Sequence, residues 1–186
     1  MDILRLPAEE AAVHRVMEKL WIPYMQELGT IVEDFALSDS IDPPGDELAY
    51  QLDRLEQQNT RGWVAVDGSH CEGNLGESDA ELVGFVITEI DECPSCFERP
   101  DRLTISDIYV RESARGTGLA QRLVEQSITW AREIGCDELT LAVDVENTRA
   151  IAFYEKLGFE VSELTMSANV TKVTESSTNQ NISDQS

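Results

Sequence analysis

The sequence predicts an α/β (α+β) domain with a mixed, mostly antiparallel central sheet flanked by helices. Three observations carry that expectation. Short runs of β-branched and aromatic residues between Trp63 and Val110 are separated by Gly, Asp, Ser and Pro clusters, as in a meander of hairpins. Apolar residues recur at helical spacing before that region and again after it. A chain of 186 residues, 41% of them hydrophobic, can bury roughly 70% of its unfolded surface without disulfide or metal staples.

In chain order, Ala12, Val13, Val16, Met17 and Leu20 fall on one face of a helix over 8–20, which Pro23 is expected to end. A second helix is expected over 46–58. Between them Tyr24, Phe35 and the turn signal Asp42-Pro43-Pro44-Gly45 mark an irregular stretch too apolar for a free linker. Strands follow at 63–66, 82–88 and 103–110. A long helix over 118–134 turns Leu119, Ala120, Leu123, Val124, Ser127, Ile128, Ala131 and Ile134 to one face and stops at Gly135. A strand over 139–143 leads to a helix over 148–157, capped by Asn147 and ended by Gly158, and a final strand is expected from Phe159. The Ser/Thr/Asn/Gln-rich tail, 167–186, is expected to be disordered.

Charge narrows the range of partners. Fourteen Lys and Arg against 36 Asp and Glu give a net charge of -22. Nucleic acid and anionic lipid bind through Lys and Arg clusters, so neither is an expected partner. The cations include only three lysines, Lys19, Lys156 and Lys172, and this acidic, lysine-poor balance resembles that of proteins from salt-loving archaea. Seven of the fourteen bases (Arg102, Arg111, Arg115, Arg122, Arg132, Arg149 and Lys156) lie in 102–165, where an anionic ligand would meet the least repulsion. The longest apolar run, 82–87, is far short of the ~18 residues of a spanning helix, and the N-terminus lacks a basic stretch followed by an apolar one. A cytoplasmic location is the expectation.

The stretch Val110-Arg111-Glu112-Ser113-Ala114-Arg115-Gly116-Thr117-Gly118-Leu119-Ala120 carries the most chemistry. A strand ends there and a glycine-rich loop opens a helix. N–H groups at a helix start lack intrahelical acceptors and lie at the positive end of the dipole, so they can hold a pyrophosphate that glycines allow to come close. The loop is neither a P-loop, lacking Gly-Lys-Ser/Thr, nor a dinucleotide fingerprint, lacking the third glycine and a parallel strand before it.

These residues resemble the signature of the GNAT superfamily of acyl-CoA-dependent N-acetyltransferases, Arg/Gln-x-x-Gly-x-Gly/Ala, through Arg115, Gly118 and Ala120. A second block agrees: Asn147, Ala150, Phe153-Tyr154 and Leu157-Gly158-Phe159. The resemblance covers 61–166 well and the N-terminal helices by order of elements only. It implies a GNAT fold, its sheet splayed at the strand pair around the cofactor. It further implies one domain over 1–166, in which helices in 1–60 cover the acceptor side and 61–166 bind acetyl-CoA. The implied reaction is direct attack of a primary amine on the acetyl-CoA thioester in a ternary complex, without a metal. By the same resemblance the backbone of Ile108, Tyr109 and Val110 pairs with pantetheine. Arg115, Gly116, Thr117, Gly118, Leu119 and Ala120 cradle the pyrophosphate, and Asn147, Ala150, Phe153 and Tyr154 line the cofactor's other side.

Acyl transfer to an amine needs a route for the proton and an acid for the leaving thiolate. Tyr154 is the candidate acid, since the matching family position often holds a tyrosine that reaches the thioester sulfur; the alternative is a packing aromatic. Asp107 and Glu89 are candidates for holding the amine or relaying its proton, unless they are solvated carboxylates in a chain full of them. Ser106 stands where diamine acetyltransferases carry glutamate, which argues against a polyamine acceptor. Small-molecule and protein amines both stay open, as do monomer and homodimer. A non-catalytic acyl-CoA sensor is the alternative to an enzyme.

Cys93-Pro94-Ser95-Cys96 has zinc-ligand spacing, and His70-Cys71 could complete a set. The strand between the two pairs would hold them roughly 26 Å apart at about 3.3 Å per residue, so no shared metal is expected. Cys136, beside Gly135, reads as packing.

Overall fold

The computed structural model describes residues 1–37, 44–68, 75–76 and 78–170. The chain forms two compact units, Met1–Ile151 and Ala152–Ser186. Among the described residues of the first, five strands line up in sequence order: β1 (Asp2–Leu6), β2 (Thr60–Asp67), β3 (Glu81–Asp91), β4 (Arg102–Val110) and β5 (Leu139–Leu141). The first three pairings are antiparallel and β4 with β5 is parallel. This is the mixed, mostly antiparallel sheet that the sequence predicts.

The helices are α1 (Glu10–Val16), α2 (Ile22–Gly29), α3 (Pro44–Glu56), α4 (Leu119–Ile134) and α5 (Thr148–Lys156), the last of which runs across the boundary into the second unit. The face predicted for the first helix is the buried one. Ala12, Val13, Val16, Met17 and Leu20 are at most 3% exposed and join Leu6, Leu55, Val64, Val66, Leu82, Phe85 and Ile87 in one core. On α4 the buried residues are Leu119, Leu123, Val124, Ser127, Trp130 and Ala131. Ile134, expected on that face, is exposed, whereas Trp130 lies three turns on from Leu119, on the same face, and is buried against Trp63 at 6.0 Å between rings. Truncating such a tryptophan to alanine typically costs about 3–5 kcal/mol. β3 is buried along Leu82–Thr88 because helical segments pack on both of its faces, α4 on one and Met17–Trp21 on the other.

Two expectations are corrected, and one element is added. Pro23 does not end the first helix: a π-helical turn, Met17–Trp21, joins α1 directly to α2, in whose first turn Pro23 sits. A proline in a first turn removes an N–H that has little to bond, and the Lys19 carbonyl four residues back accepts from Arg111 Nη2 at 2.7 Å instead. One element was not anticipated: β1 precedes α1 and pairs with β2 from Asp2↔Val66 to Leu6↔Gly62. No strand forms after Phe159 among the described residues. A strand needs a ladder partner, and Val161, Leu164 and Met166 are exposed there, at 87%, 72% and 86%. The Asp42-Pro43 turn, His70, Cys71 and the tail from residue 171 lie outside the described residues.

Candidate active site

The β4–β5 ladder is short. It runs from Leu103↔Leu139 to Ile105↔Leu141 and stops, while β4 continues to Val110. Ala142 and Val143, expected in the strand, have left it. Ser106 to Val110 therefore have β3 on one side and no strand on the other among the described residues, which exposes backbone groups of Ile108 and Tyr109 to an incoming partner. The Val110 carbonyl accepts from Arg115 Nε at 3.0 Å.

Past Val110 a 3-10 turn, Glu112–Ala114, carries the chain into the glycine loop. Gly116 and Gly118 have φ of +74° and +83°, and a Cβ at either would project into open space. Gly118 occupies the cap position of α4, so no side chain caps the first N–H groups of that helix. The Thr117 hydroxyl turns back to donate to the Ala114 carbonyl at 2.7 Å. Gly84 on β3 brings β4 close: a Cβ there would lie 2.8 Å from the Tyr109 carbonyl. An uncapped helix start, open space over two glycines and a free strand edge together fit a pyrophosphate with an extended amide arm, so the residues present suit acetyl-CoA.

Arg115 does not point its guanidinium into that space. Nη2 pairs with Glu27 of α2 at 2.5 Å, and the group lies over the Tyr109 ring at 5.8 Å. Arg149 of α5 reaches the other Glu27 oxygen at 3.2 Å. Burial alone would raise the Glu27 pKa, but the two guanidinium groups outweigh it and hold the carboxylate below its ordinary range. Tyr109 is pushed up by burial and then by the Glu27 charge. Asn147 caps α5, its Oδ1 accepting from the Ala150 N–H at 3.2 Å.

At the other end of the free edge lies a second polar cluster. The β3–β4 register shifts between Ile87↔Asp107 and Thr88↔Ile105, leaving Ser106 as the extra residue of a β-bulge. Arg54 of α3 reaches this point. Nη2 donates to Ser106 Oγ at 2.9 Å and to Glu89 Oε2 at 3.2 Å, Nη1 pairs with Asp107 Oδ2 at 3.7 Å, and the ring of Tyr50 lies 5.4 Å away. Gln51 holds Arg54 Nη1 at 3.3 Å and donates to Glu47 at 2.8 Å. Burial raises the Asp107 pKa above the usual carboxylate value despite Arg54. Asp107 and Glu89, two candidates from sequence, are thus brought to one guanidinium. Asp107 is half-buried rather than freely solvated, and Glu89 is the more exposed of the two.

Tyr154 and Phe153 lie beyond the boundary, in the second unit. The Tyr154 ring meets Phe153 at 5.2 Å and Phe159 at 5.6 Å, and burial pushes its pKa up to about 12. Cys93, Cys96 and Cys136 are free thiols, and burial pushes Cys136 up.

The acetyltransferase (GNAT) family model matches residues 28–159. The chain belongs to the GNAT acetyltransferase family. It is 35% identical over 88 residues to an uncharacterized N-acetyltransferase of Methanocaldococcus jannaschii, covering 47% of this chain and 38% of that one. It is 31% identical over 114 residues to a mycothiol acetyltransferase of Thermobispora bispora, covering 60% and 36%. The chain thus spans under two fifths of the length of these curated relatives. A crystallised tetramutant of a Bacillus halodurans protein shares the fold with a TM-score of 0.71 over 91% of this chain and 100% of that one, at 20% identity.

Within this GNAT fold, sequence reasoning missed Arg54, Glu27 and Arg149. One signal for Arg54 was available: residues 1–58 hold only Arg5, Arg15, Lys19 and Arg54 as bases, so a cation among the apolar positions of a helix stands out.

Proposed function

We propose that this GNAT protein is an N-acetyltransferase that transfers the acetyl group of acetyl-CoA to a primary amine. The observation that carries the reading is the free β4 edge, with the uncapped glycine loop at one end and the Arg54–Asp107–Glu89 cluster at the other. Bound there, acetyl-CoA supplies a thioester open to attack by a neutral amine. Ile108 and Tyr109 would pair with the pantetheine arm, and the loop from Arg115 to Ala120 would hold the pyrophosphate. Arg115 itself braces the loop against Glu27. Asp107, beside the reacting end of that edge, takes the proton of the attacking amine directly or through water, and its burial makes it a stronger base than an exposed aspartate. Glu89 holds the ammonium form as it arrives. Tyr154 donates to the departing sulfur, and Asn147, Ala150 and Phe153 shape the cofactor's flank.

One domain over 1–166 carries this activity in our reading, as monomer or homodimer. A cytoplasmic setting agrees with free thiols at Cys93, Cys96 and Cys136. No helix of the described residues is long and apolar enough to cross a membrane. The charge of -22 and the scarcity of lysine support a salt-loving archaeal source.

The test is a panel of small amines and peptide N-termini with acetyl-CoA, read by release of free CoA thiol and by mass of the acetylated product. Turnover of at least one amine is expected. Tight acetyl-CoA binding with no turnover would make the chain a sensor.

A further inference from the structure

We propose that Arg54 is a positioning residue for the transfer, holding the Asp107 carboxylate at the β4 bulge in the orientation from which it receives the acceptor's proton. This rests on the acetyltransferase reading of the same site.

Arg54 is only 11% exposed, although it sits on a helix that packs through Leu48, Leu52 and Leu55. An apolar residue would serve as well to fasten α3 to the sheet, because a buried charge seldom adds net stability over a hydrophobic one. What an apolar residue cannot do is present a rigid fork of donors. That fork is spent on one place. Glu89, Ser106 and Asp107 belong to two strands, and they meet only because the bulge at Ser106 shifts the β3–β4 register there. The ring of Tyr50 and the amide of Gln51 hold the guanidinium from its own helix. Arg54 Nε is buried without a hydrogen-bond partner among the described residues, so its position is set by what the two Nη atoms reach.

Charge gives the arrangement its second consequence. The ionised groups acting on Asp107 are Arg54 and Glu47, both from α3, while Glu89 on β3 shares the same guanidinium. Burial and Glu47 favour the neutral acid, and Arg54 is the one of these influences that favours the carboxylate. A proton acceptor needs the carboxylate, so Arg54 works against burial and Glu47 to keep Asp107 ionised toward lower pH.

The experiment compares wild type with Arg54→Gln, Arg54→Lys and Glu47→Gln. Asp107 titration is followed by carbon NMR of the carboxyl in protein without acceptor, with Asp107→Asn identifying the resonance. kcat and KM are measured against pH on an amine from the panel, and acetyl-CoA affinity by calorimetry. In Arg54→Gln the Asp107 resonance and the acid limb of kcat/KM should both move to higher pH. kcat should fall roughly tenfold or more, part of the 10²- to 10⁴-fold that a positioned base contributes, with acetyl-CoA affinity unchanged. Arg54→Lys, which keeps the charge without the fork, should return the pH profile toward wild type while kcat stays low. Glu47→Gln should move the Asp107 titration the opposite way, to lower pH, and Arg54→Lys, with its low kcat, decides the question if Arg54→Gln does not fold. An Asp107 titration and acid limb unmoved in Arg54→Gln, or an Arg54→Lys with wild-type kcat, would reduce Arg54 to a structural tie. If wild type acetylates no amine, the acetyltransferase reading falls with the proposal's catalytic part, and the carboxyl titration still decides whether Arg54 governs Asp107.

Discussion

A phenol donates a proton only while it holds one, and burial keeps Tyr154 protonated at every pH an enzyme meets, with its pKa pushed to about 12. The same burial makes it a weak acid. Full transfer to a thiolate with an ordinary thiol's pKa of about 8.5 runs uphill by about 3.5 units, roughly 5 kcal/mol. Tyr154 is therefore expected to act by a hydrogen bond to charge developing on sulfur, at the low end of the acid-catalysis range, about 10². Tyr154→Phe keeps the ring between Phe153 and Phe159, so stability should hold while kcat falls about a hundredfold and acetyl-CoA affinity stays as in wild type. Steady-state kinetics decide, and a fall of less than about threefold makes Tyr154 a packing residue. Tyr154 stands out as a candidate in the sequence because its neighbours carry the pattern. Arg54 and Glu27 were not, since their partners lie far along the chain: Ser106 is 52 residues from Arg54 and Arg115 is 88 from Glu27. Such pairs exist only once the sheet has formed.

At the scale of an element, the proposed cradle joins the start of α4 to the end of the β4–β5 ladder. Gly118 is left-handed, so any side chain there strains the backbone by roughly 1–2 kcal/mol, and it also enters the open space that the proposal gives to the pyrophosphate. These two effects separate in magnitude. For a chain this long, each 1 kcal/mol lowers Tm by about 2–4 °C, so Gly118→Val should melt a few degrees early with an unchanged circular dichroism spectrum. Its acetyl-CoA affinity by calorimetry should fall more than tenfold, and wild-type affinity in the folded variant would sink the cradle assignment. The glycine loop and α4 were readable because their signals are local: a helical period, Gly135 at the end, and glycines where φ is positive. β1 was not, because Asp2-Ile3-Leu4-Arg5-Leu6 buries fully only its last residue and shows no two-residue alternation. Pro23 misled because its usual effect assumes an unbroken α-helix, and the π-helical turn just before it restarts the helix.

Over the whole molecule the unbalanced charge of -22 is the term that conditions can change most. Two opposing effects respond to salt. Among the described residues, Arg61–Glu133, Arg102–Glu138 and Arg111–Glu81 are ion pairs with side chains about a third to three fifths exposed. Each is worth about 0–1 kcal/mol, and screening weakens it. The unpaired carboxylates repel one another in the folded chain more than in the expanded one, and screening relieves that repulsion. Acids outnumber bases by more than two to one, so relief should win and Tm should climb as KCl rises from about 10 mM. The shape of the curve identifies the cause. The screening length falls from about 10 Å at 0.1 M to about 3 Å at 1 M, shorter than the spacing of most surface charges, so an electrostatic gain levels off by about 1 M. A gain from strengthened apolar burial keeps rising beyond that and is larger for sulfate than for chloride. Thermal melts in KCl and K2SO4 at matched ionic strength should therefore coincide below about 1 M and separate above it. A flat or falling curve below 1 M would mean that the acidic surface brings no salt dependence, and the salt-loving source would lose its physical support.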